Sequence, residues 1–265
     1  MHLKIHHVTR YRFSEPVTFG LQQLRKTPKT SLQQSVRNWR TQVTGGVKEL
    51  SFRDHHHNMT ELISFDRGAV EVEIVSEGDV ELNNTHGVVG AHRGPSPLWL
   101  YRASTPQTEA KAGVRALLRE NGSDMSVEGL HALSATIRKA VRYEIGASHP
   151  DWTAEDALAA GKGVCQDHTH VFIACVRALE IPCRYVSGYL MLNDRVTQQA
   201  MHAWAEAYLP DLGWVGFDIS NGISPDARYV RVATGADYRD AAPVSGTRIG
   251  GADEALEVQI EVAQQ

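Results

Sequence analysis

The sequence predicts an α+β protein, with an antiparallel β domain over residues 1–100 and a helix-then-strand half over residues 101–265. Three observations carry that reading. Apolar residues alternate in the first half, most cleanly in Ala69-Val-Glu-Val-Glu-Ile-Val75, and no long helical period occurs there. The second half opens with Leu130, Leu133, Ile137 and Val141 near helical spacing and later turns to strand-like runs. Between the halves, residues 83–106 carry Gly87, Gly90, Gly94, Pro95 and Pro97, the composition of a linker.

The elements follow in order. Leu3, Ile5, Val8, Tyr11 and Phe13 mark a first strand, and weaker strand patterns span residues 36–43, 47–52 and 58–65. Turn signals separate them at Glu15-Pro16, Thr27-Pro28, Thr44-Gly45-Gly46 and Asp66-Arg67-Gly68. Helices are expected over 105–120 and 126–143, with Asn121-Gly122 as the stop between them. Thr153-Ala-Glu-Asp156 is a capping box opening a short helix to Ala160. Gly161-Lys-Gly163 then breaks the chain, and a helix is expected from Cys165 to about residue 180, with Val171, Phe172, Cys175, Val176 and Leu179 facing the core. Strands are expected over 183–192, 202–209 and 214–219, the last two joined by a turn at Pro210–Gly213. The alternating run Leu256–Val262 reads as one more strand, a candidate to return to the first domain.

Composition narrows the function classes. With 42% hydrophobic residues in 265, the chain can bury a core of one large domain or two ordinary ones. A net charge of −4 implies neither a nucleic-acid partner nor a membrane surface. No stretch is long and apolar enough to span a bilayer, and the start of the chain lacks the apolar run of a signal peptide. Cys165, Cys175 and Cys183 are the only cysteines, too few and odd in number for a disulfide framework. A reducing, cytoplasmic setting is therefore expected.

One constellation carries chemistry. Cys165 follows a glycine break and opens a helix, where unpaired N–H groups and the dipole favour an anion and make a thiolate a usable nucleophile. Cys175 and Cys183 fall on apolar or strand positions and read as structural. His202 begins one strand and Asp218 ends the next, so a tight hairpin brings them together. The carboxylate would then hold the imidazole while its other nitrogen faces a thiol. Taken singly, each has a plainer reading: a small buried hydrophobe, an exposed strand-end histidine, a turn aspartate. Asp167, His168 and His170 lie near Cys165, but no second ligand pair at a zinc-like spacing accompanies them, so no metal and no other cofactor is assigned. Asp167 reads as a first-turn carboxylate. His55-His56-His57 reads as a solvated loop or strand end, and Gln166 as either a substrate contact or a packing residue. Trp204 and Trp214 read as core or cleft wall.

The run Gly161-Lys-Gly-Val-Cys-Gln-Asp167, continuing to Arg177-Ala-Leu-Glu-Ile-Pro-Cys-Arg-Tyr-Val-Ser-Gly-Tyr189, resembles the core of bacterial transglutaminase-like proteins. His202-Ala-Trp204 and Gly213-Trp214 to Asp218 match the same family's later motifs, in the same Cys, His, Asp order. His7 to Val17 resembles the β-rich N-terminal domain of one bacterial subgroup, and Val232 to Tyr238 with Pro243-Val244 resembles its tail. The resemblance implies a papain-like core with Cys165, His202 and Asp218 as a catalytic triad. It implies acyl transfer through a cysteine thioester on a peptide or protein amide. Hydrolysis by a peptidase or amidase is the favoured outcome, because water needs no second binding site. Transglutaminase activity and a silent binding module are the alternatives. The second oxyanion donor, the substrate and the oligomeric state stay open. Three departures stand out: Asp218-Ile-Ser-Asn221 where the family carries Asp-Pro-Thr-Asn, Met201 where serine precedes the histidine, and His168 where an aromatic is common.

Overall fold

The computed structural model describes all 265 residues. Its strands are β1 (His2–Phe13), β2 (Val17–Thr27), β3 (Gln34–Thr44), β4 (Gly46–Arg53), β5 (Met59–Phe65), β6 (Glu71–Leu82) and β7 (Val88–Gly90). Then follow α1 (Ala112–Asn121), α2 (Val127–Ala140), β8 (Arg142–Tyr143), α3 (Ala154–Ala160), β9 (Lys162–Gly163), α4 (Cys165–Ala178) and β10 (Cys183–Leu190). The chain ends with β11 (Thr197–Gln198), β12 (His202–Leu209), β13 (Gly213–Phe217), β14 (Tyr229–Gly235), α5 (Tyr238–Ala241), β15 (Val244–Gly250) and β16 (Glu254–Gln264). No helix is long and apolar enough to cross a membrane.

Three antiparallel sheets organise the α+β architecture. The first has the order β11-β16-β1-β6-β3, the second β15-β2-β5-β4, and the third β14-β10-β12-β13-β7. The last strand does return: β16 pairs with β1 along its length, from Leu3 opposite Gln264 to Phe13 opposite Glu254. Strand β7 arises inside the glycine- and proline-rich stretch and forms the edge of the third sheet beside β13.

One face of β1 serves two cores. Tyr11 and Phe13 pack with Val17, Leu24, Ile63 and Phe65 between the first two sheets. Leu3 and Ile5 pack with Tyr189, Val230 and Val232 of the third sheet. Between them the same face turns polar. Buried Lys26 donates to Thr9 Oγ1, Thr9 meets His7 Nε2 at 3.2 Å, and His7 Nδ1 meets the Tyr189 hydroxyl at 3.0 Å. The other side of the third sheet carries the helices, and its core joins Leu130, Leu133 and Ile137 of α2 with Val171, Phe172 and Val176 of α4 and Val215 and Phe217 of β13. Each such fully buried apolar side chain contributes roughly 1.5–3 kcal/mol.

Two helix boundaries differ from the sequence expectation for stated reasons. The helix expected from residue 105 starts at Ala112, because Glu155 of α3 accepts from the N–H groups of Lys111, Gly113 and Val114 and caps it there. The helix expected to reach residue 143 stops at Ala140, and Arg142–Tyr143 instead pair in parallel with Lys162–Gly163.

Candidate active site

The glycine break ahead of Cys165 is a shaped seat. Gly161 closes α3 with φ +65°, in the left-handed region open to glycine. Gly163 has a different duty: a Cβ there would lie 2.7–2.9 Å from the Asp167 side chain. That carboxylate folds back over Gly163, accepting from the Val164 N–H at 2.7 Å and from Ser148 Oγ at 2.9 Å. Asp167 thus closes the first turn of α4, and burial pushes its carboxyl up from the ordinary range. Cys165, the first residue of α4, is left partly exposed, whereas Cys175 and Cys183 are buried and their thiols are pushed up to about 12 by burial.

The β12–β13 hairpin delivers the partners. Its register runs from Leu209 opposite Gly213 to Ala205 opposite Phe217, so the start of β12 meets the end of β13. His202 Nε2 lies 2.6 Å from Asp218 Oδ2. Asp218 is 0% exposed, and its carboxylate also accepts from the Tyr229 hydroxyl at 2.7 Å, Asn221 Nδ2 at 2.7 Å and the Asn221 N–H at 3.1 Å. Burial opposes its charge, but His202 and these donors outweigh it and hold the carboxyl below its ordinary value. Burial likewise opposes a charge on His202. The Asp218 carboxylate and then the neighbouring Cys165 sulfur outweigh it, and the imidazole is raised to about 10. With Nε2 on Asp218, the nitrogen left for the sulfur is Nδ1. The structure therefore brings His202 and Asp218 into contact, with Cys165 a neighbour of that pair.

The neighbouring candidates take structural positions. His168 is buried, with Nε2 2.8 Å from the Val141 carbonyl and Nδ1 2.9 Å from Ser220 Oγ. A carbonyl only accepts, so Nε2 carries the proton and Nδ1 accepts from the serine. Two of the departures from the family pattern, His168 and the Ser220 turn, thus bond to each other and pin the residues after Asp218 to α4. His170 is fully buried, its Nε2 accepts from the Tyr238 N–H at 3.2 Å, and burial lowers it to about 3. Asp167, His168 and His170 point to separate partners and do not converge on one point. Gln166 donates to the Pro150 carbonyl at 3.0 Å, tying down the loop before α3. Trp204 is buried, its ring 6.3 Å from that of His202 and edge-on to Tyr229 at 5.5 Å. Trp214 lies under the Arg184 guanidinium, 3.8 Å from it, and donates to His92 Nδ1.

Tyr229 is the site residue that sequence reasoning missed. It sits on β14, two strands from β12 in the sheet, and nothing in its local pattern points at Asp218. Asn221 was visible only as part of the quoted Asp218–Asn221 run. An open groove of about 380 Å³ flanks this side, lined by Leu190, Met191, Leu192, Asp194, Ile223 and Arg228, and it reaches Asn221 and Tyr229.

The family model of the transglutaminase-like superfamily matches residues 115–219, and that of the bacterial transglutaminase-like N-terminal region matches residues 3–81. An uncharacterised Mycobacterium leprae protein is 24% identical over 278 aligned residues, covering 99% of this chain and 98% of the relative. An uncharacterised Mycobacterium tuberculosis protein is 36% identical over 130 residues, covering 45% of this chain and 41% of the relative. The crystal structure of a Cytophaga hutchinsonii chain named provisionally as a cysteine protease superposes with a TM-score of 0.80 at 21% identity, over 99% of this chain and 90% of that one, a likeness of fold. Residues 115–219 thus belong to the transglutaminase-like superfamily, and residues 3–81 to the bacterial transglutaminase-like N-terminal region.

Proposed function

We propose that the protein is a cysteine-dependent acyl-transfer enzyme that cleaves amide bonds of a peptide or protein, with Cys165, His202 and Asp218 as its catalytic triad. The observation that carries this reading is the part-buried Asp218–His202 contact at 2.6 Å beside Cys165 at the start of α4. With its value raised to about 10, the His202 imidazole carries a proton at neutral pH. The thiolate attacks the amide carbonyl carbon, and His202 gives its proton to the departing amine nitrogen as the C–N bond breaks. Having given its proton to the amine, His202 is left as a free imidazole and serves as the base for an incoming water. Water adds to the thioester, the acid leaves, and the thiolate–imidazolium pair returns. The Cys165 N–H, unpaired in the first turn, is one donor to the oxyanion.

Hydrolysis is favoured over amine transfer. Water is abundant, and an amine competes only where a second channel raises its effective concentration at the thioester. The groove beside Tyr229, whose lining mixes Leu190, Leu192 and Ile223 with Asp194, Asn221 and Arg228, is the candidate path for one substrate segment. The three free cysteines fit a reducing, cytoplasmic setting, with neither nucleic acid nor membrane as partner. The test is a peptide-library screen followed by addition of a primary amine to any substrate found, with mass spectrometry counting free acid against amine adduct. Free acid should dominate at low millimolar amine. Dominant adduct makes the protein a transglutaminase, and no turnover that depends on Cys165 leaves a binding module.

A further inference from the structure

We propose that His55, His56 and Asp240 bind a divalent transition-metal ion of the zinc type, and that this ion clips the N-terminal β domain to the second half of the chain. The three residues come from opposite halves: the histidines from the turn between β4 and β5, the aspartate from α5. Their ligand atoms all lie within 4.8 Å of one another. The sequence alone marks the histidines as a solvated loop. In the structure only His55 and His57 are exposed, while His56 is buried.

The turn is held from several directions. Asp54 Oδ1 accepts from the N–H groups of His56 and Asn58 at 2.9 and 2.8 Å, and the Asp54 carbonyl accepts from the His57 N–H at 2.9 Å. Lys29 Nζ donates to the His56 carbonyl at 2.9 Å, and Ser96 Oγ donates to that of His55 at 2.5 Å. The ligands are therefore carried on a backbone that has little freedom to lose on binding.

The spacing suits a tetrahedral ion. His56 Nε2 and Asp240 Oδ2 are 3.2 Å apart, close to the roughly 3.3 Å edge expected from zinc bonds of about 2.0–2.1 Å. The His55 ring lies beside that of His56, centroids 4.0 Å apart, and is exposed and free to swing in. His56 Nδ1 lies 3.0 Å from the Tyr101 hydroxyl, which fixes the ring with Nε2 towards the site, as outer partners of metal-bound histidines do. The Asp240 side chain is 37% exposed, so water can fill the fourth position. On binding, the ion takes the place between His56 Nε2 and Asp240, and the ring keeps its proton on Nδ1, towards the Tyr101 hydroxyl.

The experiment is a calorimetric titration of zinc chloride into tag-free protein, in a Cys165→Ala background that removes the thiolate as a competing ligand. One ion should bind per chain. His55→Ala and Asp240→Asn should each weaken that binding at least tenfold. The melting temperature of His55→Ala in metal-free buffer should equal its parent's, since that ring is exposed, which separates lost ligation from lost folding. Unchanged affinity in either variant, or no single-site binding up to about 1 mM zinc, overturns the proposal.

Discussion

His202, 11% exposed, and the two buried α4 histidines, His168 and His170, pack around the same helix, yet their surroundings push them in opposite directions. His202 meets a buried carboxylate and a nearby sulfur and is raised to about 10. His168 meets a carbonyl and a serine, and His170 a backbone N–H, and burial lowers both. Burial alone discharges an imidazole; burial together with a buried carboxylate charges it. His202 is therefore singled out by Asp218, and Asp218 in turn by the donors that Tyr229 and Asn221 bring to it.

The comparison breaks hardest at the reacting groups. With a substrate from the library screen in hand, Cys165→Ala and His202→Ala should each lower kcat by roughly 10⁴-fold or more, because the two act as one unit. Asp218→Asn should keep the fold and lose about 10²–10⁴-fold, since an amide can hold the imidazole in the wrong tautomer. Full activity in Asp218→Asn would mean that some other group orients His202. Tyr229→Phe is gentler. It leaves Asp218 its contacts to His202 and Asn221, and a loss of about tenfold in kcat with little change in KM is expected, one hydrogen bond to a charged group being worth about 1.5–3 kcal/mol at most. An unaltered kcat would reduce Tyr229 to a packing residue.

Stability should sharpen the same contrast through pH. Folded His170 takes its proton only near 3, whereas the unfolded residue does so near 6.5. The unfolded chain binds more protons in that window, so stability rises with pH there. The His170 contribution is lost as pH falls below 6.5, at up to about 1.4 kcal/mol per unit. His202 has the opposite sign: its raised folded value gives stability that is fully present below about 6.5 and disappears as pH climbs through about 10. Urea unfolding across pH, comparing the parent with His170→Gln and His202→Gln, isolates each slope. Equal slopes in parent and variant would remove that histidine from the account.

The smallest effect is expected where the family departures meet. Ser220→Ala leaves His168 Nδ1 without its donor and should cost about 1–3 kcal/mol of stability while changing kcat less than about threefold. A large loss of rate at unchanged stability would place Ser220 in the chemistry.

How far the sequence announced all this depended on whether the cause was local. The hairpin that joins His202 to Asp218 was legible because a short turn dictates which strand ends meet. The start of α4 was legible from its glycine break, although eleven of its fourteen residues are buried, so no polar stripe marks it as an amphipathic helix. Strand β2 was not legible, since its pairing with β5 is interrupted between Leu24 and Thr27 and its burial does not alternate. Tyr229 was hidden for another reason: its hydroxyl acquires meaning only when β14 docks against β10, a pairing that neither strand specifies alone. The same holds for His56, which looks like one of three loop histidines until Tyr101 and Asp240 arrive from elsewhere in the chain.

The central claim, that His202 and Asp218 make Cys165 the reactive thiol, needs no substrate to be tested. Limited iodoacetamide at neutral pH, followed by peptide mapping, measures the labelling rate of each cysteine in the parent, in His202→Ala and in Asp218→Asn. Cys165 should be labelled first, with Cys175 and Cys183 protected by burial and by thiols pushed up to about 12, and its rate should fall at least tenfold in both variants. Preferential labelling of Cys175 or Cys183, or a Cys165 rate indifferent to His202 and Asp218, would contradict it.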